Sequence, residues 1–234
     1  LVGSEMCIRD SNAIAGSFVE RAPVVVISAS PSTKNRAEAS KHNVLFHHST
    51  GNFEADRNVL EQVTVACEIL SNAEQAPWQI DNALIAAITH RQPIYLEAWS
   101  DVWGMACSKP HGQLVPAPRP SNPQALRQLV DNSVERLAEA KKPLVLLGVE
   151  VMRYGLQDAV QRLIDNCQLP FSTTLDAKTV LDESQKPFIG TYAGPASRLE
   201  TSPLVLDADC ILAIGVIFTD DYLSLIHISE PTDR

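Results

Sequence analysis

The chain has 234 residues, a formal net charge of −9, 45% hydrophobic residues and 20% charged residues. That supplies apolar side chains for one large domain or two ordinary ones, and the acidic balance argues against a nucleic-acid-binding surface. No apolar run approaches the ~20 residues that a membrane-crossing helix needs.

The two ends are anomalous. Glu5-Met6-Cys7-Ile8-Arg9-Asp10-Ser11 can be encoded by GAG ATG TGT ATA AGA GAC AGC. The reverse complement of the ATGTGTATAAGAGACAG core, read in another frame, encodes Ser-Leu-Ile-His-Ile, which stands at Ser224 to Ile228. Inverted complements of one DNA word at both ends look like a translated sequencing adapter. Residues 1–11 and 223–234 are therefore expected to be artefact and are set aside from fold reasoning. The natural part is expected to be an internal fragment, about 12–222.

Asn12 to Glu20 predicts a helix. It feeds Val24-Val25-Val26-Ile27, a continuous β-branched run expected of a parallel strand covered on both faces. Ser30 to Phe46 has neither a helical nor an alternating period and is expected to be a long loop. It ends in the adjacent pair His47-His48. Long loops inside compact domains are often functional, and ligands of open α/β sheets bind beyond the carboxyl ends of the strands. Histidine titrates near neutrality, which suits proton transfer. The residues alone also allow a solvated loop pair, or one histidine as a satisfied core residue. No Cys, Asp or Glu flanks it at ligand-like spacing, so no metal site is expected there.

Glu74 to His90 predicts an amphipathic helix with Ile80, Leu84 and Ile88 on one stripe beside Ala83 and Ala87. Gln92-Pro93 ends it, and Ile94-Tyr95-Leu96 is a short strand. Trp99 and Trp103 are expected in the following loop, packed under a linker. Pro110, Pro116, Pro118, Pro120 and Pro123 stiffen residues 109–121 into that linker. Asn122 then caps a helix with Pro123 at its first position, and Leu126, Val130, Val134 and Leu137 are expected to form its buried face. Strands follow at 143–148, 171–174 and 208–215, with an amphipathic helix at 156–166 through Val160, Leu163 and Ile164. Helices alternating with apolar strands imply a parallel sheet. Gly148 and Gly215 close strands as in nucleotide-binding topologies. Because no G-x-G-x-x-G or Walker motif follows either one, this second domain is expected to hold no nucleotide. Cys67, Cys107, Cys167 and Cys210 lack C-x-x-C spacing and are expected to be reduced, mostly core thiols of a cytoplasmic protein.

Three stretches carry a family resemblance: Asn12 to Glu20, Ala22 to Ser28, and His47-His48-Ser49-Thr50-Gly51. They resemble the thiamin-diphosphate-dependent 2-oxo acid decarboxylases of the pyruvate and indolepyruvate decarboxylase type. Gln62-Val63-Thr64, followed by a short helix and Arg91-Gln92-Pro93-Ile94-Tyr95-Leu96-Glu97, is similar to the end of that family's pyrimidine-binding domain. Val180-Leu181-Asp182-Glu183 and Gly190-Thr191-Tyr192-Ala193-Gly194 are similar to its middle domain, with Asp182-Glu183 and Thr191-Tyr192 read as surface or packing residues. The paired histidines separate the decarboxylases from the acetolactate synthases.

The resemblance implies an α/β fold of two parallel-sheet domains. The C-terminal part of the pyrimidine-binding domain would occupy 12–108, and a truncated, Rossmann-like middle domain 122–222. It also implies a non-oxidative decarboxylation of a 2-oxo acid to an aldehyde and CO2, in which thiamin diphosphate accepts the electrons as CO2 leaves. His47 and His48 would be catalytic, assisting proton transfer. The family's activating Glu is expected upstream of Asn12. Its Gly-Asp-Gly…Asn motif, which holds Mg2+ and the diphosphate, is expected downstream of Tyr222. Family active sites form between subunits, so a homodimeric or homotetrameric parent is implied, with a small-molecule substrate and no nucleic-acid or membrane partner. The fragment alone is expected to be inactive and, with exposed strand edges, aggregation-prone. An acetolactate synthase or benzoylformate decarboxylase relative and a non-catalytic binding paralogue stay open as alternatives. The identity of the 2-oxo acid is not legible.

Overall fold

In the computed structural model, which describes residues 7–46, 51–110, 112–116 and 121–219, the chain divides into two units at residues 119 and 120. Each is built on a parallel sheet. The first unit runs α1 (Cys7–Val19), β1 (Val25–Ser30), α2 (Thr33–His42), α3 (Ala55–Leu60), β2 (Ala66–Leu70), α4 (Ala76–His90) and β3 (Ile94–Trp99). Its sheet has the order β1-β3-β2, so the last strand lies in the middle. Both neighbours are parallel to it, Val25 and Ala66 each facing Ile94.

Side-chain alternation sorts β3 onto two faces. Ile94, Leu96 and Ala98 meet Leu70 and the small residues Ala83 and Ala87 of α4, which let the helix axis approach closely. Tyr95 faces Ile14 of α1 and Leu60 of α3. The buried Gln92 ties α1 to the sheet by donating from Nε2 to the Phe18 carbonyl at 3.1 Å. Arg91, at φ 54, takes the left-handed turn that ends α4.

The structure corrects several sequence expectations in this unit. α1 starts at Cys7 rather than Asn12. The segment after β1 is no simple loop, since it contains α2. Apart from Ala37 and the buried Ala39 that helix is polar, so it has no apolar stripe to read. Its caps define it instead: Ser32 Oγ accepts from the Asn35 amide at 3.2 Å, and Asn43 closes it at φ 53. β1 is not covered on both faces. Val25 and Ile27 are 37% and 39% exposed, because β1 is an edge strand and α4 packs over β2 and β3. Trp99 ends β3 instead of entering a loop, and Trp103 is exposed rather than packed. Between Thr64 and Arg91 the chain forms β2 before the expected helix, α4.

The second unit runs α5 (Pro123–Glu139), β4 (Pro143–Leu147), α6 (Glu150–Arg153), α7 (Gln157–Cys167), β5 (Phe171–Thr174), β6 (Phe188–Tyr192), α8 (Thr201–Leu206) and β7 (Cys210–Ile214). The strand order is β6-β5-β4-β7, all parallel. Val145, Leu147 and Phe171 pack against Val160 and Ile164 of α7 on one face, while Leu144, Leu146 and Tyr192 pack against Val205 of α8 on the other. The start of α5 is as expected, with Asn122 Oδ1 accepting from the Gln124 and Ala125 amides at 3.0 and 3.1 Å. Its apolar face is not buried, however: Leu126, Val130 and Val134 are exposed, Val134 by 61%. The stripe was legible, but of its four residues only Leu137 is half-buried, although α5 lies against β7. Among the cysteines, Cys107 and Cys167 are exposed and Cys67 and Cys210 half-buried, so the expectation of core thiols fails for the first pair.

Candidate functional site

The carboxyl ends of β1 and β3 carry a polar cluster on the Tyr95 face of the first sheet. Ser28 and Ser30 project from β1, and Tyr95, Glu97 and Trp99 from β3, all at alternate positions. Glu97 is 2% exposed. A carboxylate buried so deeply in a central strand is stable only with charged or hydrogen-bonding partners. Its Oε1 accepts from Arg36 Nη2 at 2.8 Å, and its Oε2 accepts from the Tyr95 hydroxyl at 3.3 Å. Tyr95 Oη in turn lies 2.5 Å from Ser28 Oγ. Burial holds the Tyr95 phenol well above its ordinary pKa, and the Glu97 charge adds to this against the Ser28 hydrogen bond. The phenol therefore stays protonated and able to donate.

Arg36 reaches this carboxylate from α2. Its Nε donates to the Pro31 carbonyl at 3.2 Å, and Nη2 also donates to Ser30 Oγ. The guanidinium lies 4.7 Å from the centroid of the Phe53 ring and 4.5 Å from that of Trp99. Phe53 makes an edge contact with Phe46 at 6.0 Å. The Thr33 amide at the start of α2 donates to Asp101 Oδ2 at 3.2 Å, a second tie between α2 and the segment after β3. Trp99 Nε1 is buried without a hydrogen-bond partner among the described residues.

His47 and His48, the residues the sequence singles out, lie outside the described residues. Of their described flanks, Phe53 stands at this cluster and Phe46 touches Phe53. Sequence reasoning missed Arg36, Tyr95 and Glu97 as a group. Glu97 left a signal, a lone charge in the apolar run Ile94 to Trp99. Arg36 left none, being one polar residue in a polar helix.

In the second unit the chain runs from β4 to β5 and β6 on one side and returns to β7 on the other. The switch point, where ligands of open sheets bind, is therefore between β4 and β7. There the Gly148 amide donates to the Ile214 carbonyl at 2.9 Å and the Glu150 amide to the Gly215 carbonyl at 3.1 Å. A Cβ on Gly148 would fall 2.1 Å from the Gly215 oxygen. The two turns thus lie backbone against backbone, with these two amides after β4 donating to carbonyls at the end of β7.

The family model for the central domain of thiamine pyrophosphate enzymes matches residues 130–232. A probable pyruvate decarboxylase of Schizosaccharomyces pombe is 30% identical over 210 residues, covering 88% of this chain and 36% of the relative. The indole-3-pyruvate decarboxylase of Azospirillum brasilense is 32% identical over 209 residues, 89% of this chain and 37% of the relative. A pyruvate decarboxylase of Candida albicans is 28% identical over 214 residues, 90% of this chain and 37% of the relative. The chain is thus similar to the central domain of thiamine pyrophosphate enzymes in its second unit and to pyruvate and indole-3-pyruvate decarboxylases through both.

The similarity to these decarboxylases runs through both units, while the chain spans little more than a third of their length. Two parallel-sheet units agree with the family's domains. Among the described residues no group of three His, Cys, Asp or Glu is placed to hold a metal ion. With the switch-point amides also engaged, these residues do not fit Mg2+ or the diphosphate, and no chemical step is assigned to either one. No described helix is long and apolar enough to cross a membrane.

Proposed function

We propose that the chain is part of a non-oxidative decarboxylase that converts a 2-oxo acid to an aldehyde and CO2. The observation that carries this reading is the similarity to pyruvate and indole-3-pyruvate decarboxylases over 209 to 214 residues, through both units. In this reading His47 and His48 move protons, since an imidazole exchanges one near neutral pH without a large energetic penalty. The cluster of Ser28, Arg36, Tyr95 and Glu97 stays outside the chemistry and fixes the carboxyl end of the sheet. Thiamin diphosphate and Mg2+ would be held by parts of the parent protein other than the described residues. We further propose a cytoplasmic homodimeric or homotetrameric parent, the boundaries 12–108 and 122–222 for its two partial domains, and adapter origin for 1–11 and 223–234.

The test is to recover the parent gene across both ends of this chain and assay its product with pyruvate, phenylpyruvate and indolepyruvate for CO2 and aldehyde. The expected result is aldehyde from at least one of them, with His47→Ala and His48→Ala lowering turnover by about 10²-fold or more. No aldehyde from a folded, cofactor-loaded parent would reject the reading, and so would full turnover in both variants. The 234-residue chain itself is expected to give none.

A further inference from the structure

α2 is a helix with almost nothing apolar to hold it down. Apart from Ala37 and Ala39 its residues are polar, and Ala39 is its one buried side chain. Val44 and Leu45, which follow the Asn43 cap, are exposed. A helix of this length is marginal in water by itself. Its persistence therefore depends on what ties it to the sheet.

Those ties are polar, and most of them run through one side chain. Arg36 donates from Nη2 to Glu97 Oε1 at 2.8 Å and to Ser30 Oγ, and from Nε to the Pro31 carbonyl at 3.2 Å. The guanidinium also lies within 4.5 Å of the Trp99 ring centroid and 4.7 Å of that of Phe53. Ser30 ends β1, while Glu97 and Trp99 belong to β3. A further tie joins the Thr33 amide to Asp101 Oδ2 at 3.2 Å, just past β3. The two sides of this junction are unequal. Glu97 is 2% exposed in the middle strand of a packed sheet, whereas α2 contributes one buried methyl. Elements with few buried apolar contacts open at lower free energy than the core they rest on.

We propose that α2 is a strap fastened at the carboxyl ends of β1 and β3, which opens and closes as one unit with the Arg36–Glu97 pair as its catch. One guanidinium makes most of the ties, so they release together, and the helix loses its support in the same step. Opening leaves Glu97 with the Tyr95 hydroxyl alone among the described residues. A buried carboxylate without its counter-ion is costly, which keeps the closed state dominant. This inference is independent of the decarboxylase reading, because every contact in it lies within the first unit.

The experiment is native-state amide hydrogen exchange on the full 234-residue chain, read by peptide mass spectrometry. In the unaltered chain, amides of residues 36–43 are expected to exchange about tenfold or more faster than those of 94–98. Arg36→Met combined with Glu97→Gln removes the catch without stranding a buried charge and should speed α2 exchange about tenfold again. Arg36→Lys keeps a charge for Glu97 without the planar group and should fall between the two. Asp101→Ala removes the further tie and should give about threefold. Lys34→Met, at an exposed cation of the same helix, should give less than about twofold. β2 and α4 should keep their protection throughout. The proposal is overturned if α2 in the unaltered chain exchanges as slowly as β3, or if the double variant leaves α2 unchanged. It is also overturned if Lys34→Met loosens α2 as much as the double variant does, or if the increase spreads equally over β2 and α4. No readout involves turnover, so this test and the decarboxylation assay can fail separately.

Discussion

Gly148→Ala should be among the most damaging single substitutions in the second unit. The added methyl would sit 2.1 Å from the Gly215 oxygen, 2.3 Å from Val216 Cα and 2.5 Å from the Gly215 carbonyl carbon. All three are backbone atoms, so no side chain can swing away. Ordinary contact begins near 3.4 Å, and reaching it requires β7's turn to back off from β4's. That movement breaks the Gly148-to-Ile214 bond at 2.9 Å and the Glu150-to-Gly215 bond at 3.1 Å. Overpacking costs about 1–3 kcal/mol and each of the two lost hydrogen bonds about 0.5–1.5 kcal/mol net, so the loss should total about 2–6 kcal/mol. Set against a typical domain stability of about 5–15 kcal/mol, that comes close to unfolding the unit. Urea titration followed by circular dichroism reads it as a lower midpoint at unchanged slope. The control is Gly16→Ala, the same methyl in the interior of α1 with nothing within 4 Å. There helix propensity should stabilise by about 0.5–1 kcal/mol. If Gly148→Ala shifts stability by less than about 1 kcal/mol, the turn yields more easily than its geometry implies and the close-approach argument is wrong.

Three further outcomes are expected. Burial pushes the Cys67 thiol up to about 11, against a partial opposing pull from Arg57. Its neutral form is therefore favoured in the folded chain, and the stability it contributes is present below the ordinary thiol pKa and lost as pH rises through about 11. Iodoacetamide at mildly alkaline pH should label Cys107 and Cys167 well before Cys67, and equal rates by peptide mapping would contradict the burial. Asp209 accepts from the Lys142 and Lys141 amides at 2.9 and 2.8 Å, which holds its carboxyl below the usual range. Its contribution should be present above the ordinary carboxylate pKa and fade as pH falls through the lowered one. Asp209→Asn should flatten the acid limb of the melting profile, and an unaltered limb would exclude the linkage. Ile27→Lys, on the exposed side of β1, should leave the melting temperature nearly unchanged and reduce self-association in sedimentation velocity. An unchanged association state would mean that this edge is not the sticky one.

Where a signal in the sequence was local and backbone-driven, it was legible. Asn122 before Pro123 marked the start of α5 because both act within one turn. The run at 143–148 marked a strand because central strands need apolar side chains on both faces. What failed was the step from pattern to burial. Val24 to Ile27 and the stripe of α5 are as apolar as core elements, yet burial depends on what lies opposite, and no window of sequence holds that information. α2 was missed for the reverse reason, as its caps carry it and its side chains have no apolar period. The site divided in the same way. The histidine pair was visible as a motif, whereas the Arg36–Glu97 pair joins residues sixty-one positions apart and becomes visible only when β1 and β3 lie side by side.

The strand order of the first unit bears on how the chain emerges from a ribosome. β1 and β2 do not touch each other, because each pairs only with β3, which is made last. Val25 must wait for Ile94, its partner in the ladder. At roughly 5–20 residues per second that delay is about 3–14 s, during which the two finished strand sequences lack β3, the neighbour they share among the described strands. The second unit is ordered the other way: β4 is made first and is central, so β5 can add to it as soon as it appears. Nascent-chain arrest before Ile94 should therefore leave the first unit dependent on a holding chaperone, whereas arrest after Thr174 already permits a native strand pair in the second.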